Sequence, residues 1–138
     1  MKRLPVWLSA LWWGSLTTIG FVVVPLLFAH LPTPALAGNM AARLFTAQTW
    51  IGLCCGLLLL MYSRSRWVDE RLDWSASLMA LVIAAMLCAL LAEFVVAPRI
   101  VARDNLRWWH AVGTGLYGLQ WLLAASLLWK FSRVHPSA

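Results

Sequence analysis

Two imidazoles and one carboxylate are the side chains here best suited to chemistry. His30 closes one long apolar run, Glu93 lies near the end of another, and His110 sits at the start of a third. Two imidazoles offered by facing helices can ligate a b-type haem or a copper ion, and Met40 or Met86 could add a soft sulfur ligand. A carboxylate inside an apolar run is costly unless partnered. Glu93 is therefore a candidate to orient a histidine ligand, to relay a proton, or to form a structural pair with Arg43, Arg99 or Arg107. Hydrogen bonding to loop backbone is the plain structural alternative for the two histidines. Gln48 and Arg43, with Arg99, are the polar residues expected around this set. On the last run, His110, Thr114, Tyr117 and Trp121 share a stripe at helical spacing, which would either line a cleft or pack.

Other chemistry finds no support. There is no phosphate-binding loop, serine-nucleophile elbow, zinc-protease motif or dinucleotide fingerprint, and no nucleophile stands beside a plausible base, so an enzyme is not the expectation. Cys54, Cys55 and Cys88 lie within apolar runs without metal-ligand spacing and read as polarizable filler.

The elements that position these residues are membrane helices. Hydrophobic residues make up 62% of the 138-residue chain and charged residues 12%, against about 45–50% and about 25% in soluble domains. Lipid is the solvent that suits such a composition. The net charge of +6 sits at the ends of the apolar runs, where it sets topology and meets anionic headgroups; nucleic acid is not an expected partner. Four runs, at about 4–29, 42–62, 74–98 and 108–131, are each long enough to cross roughly 30 Å of hydrocarbon. They predict an all-α, antiparallel four-helix membrane bundle forming one domain over 1–138, with no convincing internal repeat. Lys2-Arg3, the first run and Ala35-Leu36-Ala37 imitate a cleavable secretory signal. The run is much longer than the 7–15 residues of a signal core, and it reads as a retained helix.

Orientation follows from Lys and Arg. Lys2, Arg3, Arg64, Arg66, Arg71, Lys130 and Arg133 fall on one side, and Arg43, Arg99, Arg103 and Arg107 on the other. The richer side is expected to be cytoplasmic, with both termini there and the plasma (bacterial inner) membrane as the location. The chain direction then gathers His30, Arg43, Gln48, Glu93 and His110 near the outward leaflet. Trp7, Trp67, Trp74, Trp108, Trp109 and Trp129 lie near helix ends and suit the headgroup level. Pro25 is expected to kink the first helix. Between helices in lipid, close approach at small residues matters, and Gly14, Gly52, Gly56, Gly115 and Gly118 are the expected packing positions. Partners beyond the lipid bilayer would be a second copy or other membrane proteins. The alternative to a haem or copper site is accordingly a non-catalytic membrane subunit or assembly protein.

The order of several short pieces carries a resemblance. Leu11-Trp12-Trp13-Gly14-Ser15 is followed by Phe21-Val22-Val23-Val24-Pro25-Leu26-Leu27-Phe28, then Ala37-Gly38 and Leu44-Phe45. Glu93 with Pro98-Arg99 closes the third helix, and His110 stands at the head of the fourth. In this the chain resembles the transmembrane protein 205-like family, over nearly its whole length. That family is distantly similar to the copper-resistance D and HemJ-type membrane proteins, and the resemblance implies a helical bundle with metal or haem as a ligand class. Where the family pattern has a Gly after the histidine and then a Ser, this chain has Ala111 and Thr114.

Overall fold

The computed structural model describes residues 3–65 and 76–133. Among them every regular element is helical, and four helices are long and apolar enough to cross a membrane. These are α1 (Leu4–His30), α2 (Pro34–Ser65), α3 (Ala76–Val101) and α4 (Leu106–Ser132). Trp67, Trp74, Arg66 and Arg71 fall outside the described residues. The protein is a multi-pass membrane protein, and Trp7, Phe21, Met61, Phe94 and Leu122 are exposed on the bundle's outer surface.

The α2 helix begins at Pro34, not at 42, and the cause is local. Thr33 caps it, its hydroxyl accepting the Leu36 N–H at 3.2 Å and its carbonyl the Ala37 N–H. Pro34 takes the first helical position, where a missing N–H costs nothing. The cleavage-like Ala35-Leu36-Ala37 is thus the first turn of a membrane helix. The α3–α4 hairpin turns within 102–105, where Arg103 and Asn105 adopt left-handed backbone, and Asn105 sets the start of α4.

Helix α1 packs on α2 and α4, and α3 packs on the same two, so the bundle is a ring with α1 diagonal to α3. Its centre is filled by Trp12, Leu16, Cys55, Leu59, Val82, Ala85, Ala124, Leu127 and Phe131. Gly52 lets α2 approach the Trp12 indole and Gly56 lets it approach Met86.

Two helices widen into π turns, at Thr18–Val23 in α1 and Ala92–Val96 in α3. The Val24 N–H reaches back to Ile19 O, and the Ala97 N–H to Ala92 O. In each case a proline follows, Pro25 or Pro98. In the same register these prolines face the carbonyls of Gly20 and Glu93 but have no N–H to give them. In α1 a side chain also wedges the turn: the Tyr117 hydroxyl donates to Leu16 O at 2.7 Å while its ring covers Gly20. Insertion of this kind is an established cause of helix distortion.

Candidate functional site around Glu93

The π turn of α3 carries Glu93, half-buried between neighbouring helices. Its Oε1 accepts the Thr46 hydroxyl from α2 at 2.8 Å. Among the described residues no cation sits within ion-pair distance of it. The arginines considered as structural partners are elsewhere: Arg99 stacks over the Trp109 ring at 4.5 Å, and Arg43 and Arg107 are exposed. Glu93 is thus a membrane carboxylate held by a neutral hydroxyl, next to a widened turn.

Gln48, on the side of α2 away from Thr46, is buried and donates to the Ser15 hydroxyl at 3.0 Å, and Ser15 donates on to Trp12 O at 2.9 Å. Beyond it, Trp121 Nε1–H donates to the Thr17 hydroxyl at 2.8 Å, which donates to Trp13 O. Phe45 meets Tyr117 edge-on at 5.3 Å, and Phe21 meets Trp121 edge-on at 5.7 Å. A seam of hydroxyls, amides and indoles therefore joins α1 to α2 and α4. Gln48 Oε1, Trp12 Nε1, Trp13 Nε1 and Gln120 Nε2 are buried along it without a hydrogen-bond partner among the described residues.

Both histidines are exposed. His30 Nδ1 lies 3.0 Å from Leu26 O on its own helix, and the carbonyl of His110 accepts the Thr114 hydroxyl. Neither is hydrogen-bonded to Glu93. Among the described residues, no three His, Cys, Asp or Glu side chains converge as a metal site. Met40 is exposed at 42%, and Met86 packs against Gly56 in the bundle.

The glycines divide. Gly52 and Gly56 touch neighbours closely, whereas a Cβ on Gly14, Gly115 or Gly118 would meet nothing within 4 Å. The close helix crossings that went unnoticed in the sequence are at Gly20, under Tyr117, and at Gly113, beside Val96. Thr46 was also missed; a lone threonine in an apolar run carries no signal until its partner across the bundle is known.

A family model described as "Domain of unknown function (DUF4149)" matches residues 7–108. The chain belongs to that family. The matched stretch covers α1 from Trp7 onward, α2 and α3, with His30, Thr46 and Glu93, and stops within the first turn of α4, before His110, Tyr117 and Gln120. No curated protein and no solved structure matches the chain.

Proposed function

We propose that the protein is a non-enzymatic membrane protein that binds a cation, a proton or a metal ion, at Glu93. The observation that carries this reading is a membrane carboxylate in a π turn, held by the Thr46 hydroxyl and without a cationic partner among the described residues. A charge within a membrane span is expensive and normally marks function, and π turns recur at functional sites. Chemistry supports a copper ion or haem as the finer form of the ligand. His30, with Nδ1 donating to Leu26 O, would present Nε2 as a free ligand atom, the arrangement typical of metal-bound imidazoles. The resemblance to the transmembrane protein 205-like family, and through it to copper-resistance D and HemJ-type proteins, favours the same ligand class. His110 would be the second imidazole. The residues fit only an open site, since no three-ligand group is formed among the described residues. In this reading the site faces outward from the bacterial inner membrane with both termini cytoplasmic, the side richer in Lys and Arg.

The experiment is carbodiimide labelling of the detergent-solubilised chain with dicyclohexylcarbodiimide, mapped by mass spectrometry, with and without copper. A membrane carboxyl that exchanges protons forms a stable N-acylurea. Labelling at Glu93 that is lost in Glu93→Gln supports the site, and protection by copper identifies the metal form. No adduct at Glu93 sinks the reading. An absorption spectrum of the purified chain tests the haem form, which requires a Soret band that His30→Ala and His110→Ala remove.

A second reading, a subunit or assembly protein, is favoured by the open faces at Gly14, Gly115 and Gly118. These small-residue positions suit a partner helix or a second copy. Gly115→Leu would then abolish co-purification or self-association while Glu93→Gln leaves it intact; the reverse pattern counts against this reading.

A further inference from the structure

The four helices carry a repeat that their overall sequences conceal. Phe21-Val22-Val23-Val24-Pro25 in α1 matches Phe94-Val95-Val96-Ala97-Pro98 in α3, and each segment accompanies a π turn. At the same shift in numbering, the buried residues Ser9, Trp12 and Leu16 of α1 fall on the buried Val82, Ala85 and Ala89 of α3. A shift one residue shorter relates the other two helices. Gln48, Gly52, Cys55 and Leu59 of α2 then fall on Gln120, Ala124, Leu127 and Phe131 of α4, all buried. The ring arrangement puts equivalent helices on opposite corners. Phe45 and Tyr117, equivalent in this scheme, meet each other edge-on at 5.3 Å, as residues beside a twofold axis can.

We infer that the chain is two fused helical hairpins related by an approximate twofold axis along the bundle, and that the Glu93 site has a second copy closed by Tyr117. Gly20 stands where Glu93 stands in the other half, and Gly118 where Thr46 stands. At the α2–α3 boundary a carboxylate accepts a threonine hydroxyl from the other half. At the equivalent α1–α4 boundary the carboxylate and the threonine are both replaced by glycine, and the Tyr117 ring fills the space beside Gly20. A Cβ on Gly20 would lie 2.5 Å from Tyr117 Cε1 and 2.9 Å from its hydroxyl oxygen. The bond from that hydroxyl to Leu16 O holds the ring in place. Tyr117 is thus a positioning residue that restricts the bundle to one carboxylate site. Polar asymmetry in a nearly symmetric frame singles out Glu93 as the ligand-binding acid, so this inference deepens the reading proposed above and rests on it for its ligand, a proton or metal cation.

Three substitutions make the α1–α4 boundary match the α2–α3 boundary: Gly20→Glu, Tyr117→Phe and Gly118→Thr. They are introduced together into Glu93→Gln and labelled with dicyclohexylcarbodiimide beside wild type and Glu93→Gln alone. The expected result is an adduct at Glu93 in wild type, its loss in Glu93→Gln, and its return at position 20 in the combined variant. A helical combined variant with no adduct at position 20, when wild type is labelled, overturns the second site and leaves the Glu93 reading standing. An unlabelled wild type overturns the Glu93 reading instead, and the Tyr117 closure is then decided by thermal unfolding, as it is where the combined variant does not fold. Gly20→Ala should lower the midpoint, and adding Tyr117→Leu should recover most of that loss. No recovery overturns the closure.

Discussion

Replacing Gly52 by alanine puts a methyl group into a tight helix crossing lined by a rigid indole. The added Cβ would lie 2.7 Å from Trp12 Nε1 and 3.2 Å from its Cε2, with Gln120 Nε2 at 3.3 Å. Trp12 is fully buried, and an indole is rigid, so the contact is relieved only by moving helices apart. Overpacking of this kind costs about 1–3 kcal/mol. Opposing it is the intrinsic helix preference of alanine over glycine, about 1 kcal/mol. Gly115→Ala supplies the control, because its Cβ would meet nothing within 4 Å, leaving only the propensity gain. The difference between the two variants cancels the backbone contribution and reports the contact alone, about 1–3 kcal/mol in favour of Gly115→Ala. Gly56→Ala should fall between them. Its nearest neighbour is the Met86 sulfur at 2.5 Å, but a thioether chain can re-rotamer where an indole cannot. The assay is unfolding in mixed micelles followed by circular dichroism. Equal stability of Gly52→Ala and Gly115→Ala would refute the packing account of this crossing.

Other outcomes follow from single bonds. Thr46→Val removes the only hydroxyl that Glu93 Oε1 accepts among the described residues and should destabilise the bundle by about 1–3 kcal/mol, as for an acceptor left without its partner, whereas Glu93→Gln keeps an acceptor for Thr46 and should cost less; mixed-micelle unfolding of both decides it. Gln48→Leu severs the bond to Ser15 and should lower stability, while Gln120→Leu removes a buried donor that has no partner among the described residues and should be neutral or stabilising; equal losses would contradict the assignment of the seam. Thr33→Ala should cost about 0.5–2 kcal/mol as a lost helix cap, read as faster amide exchange at Leu36, and unchanged exchange there would show that the cap contributes nothing.

Composition and run length alone determined that this is a helical membrane protein with four spans, because no arrangement in water hides so much apolar surface. They also singled out Glu93, since an acid inside an apolar run stands out whatever surrounds it. The second helix was placed too late because Ala35 to Asn39 look like loop until Thr33 and Pro34 are seen as cap and first turn. The repeated Phe-Val-Val-x-Pro was present in the sequence, but five residues among hydrophobic ones have little weight until the two prolines are found beside matching π turns. Tertiary structure alone decided which hydroxyl meets Glu93, which glycines face a neighbour, and that Tyr117 covers Gly20. Those are contacts between helices distant in sequence. In lipid an apolar pattern does not mark one face for burial as it does in water, so side-chain pairing across the bundle cannot be read from the spacing of residues along one helix.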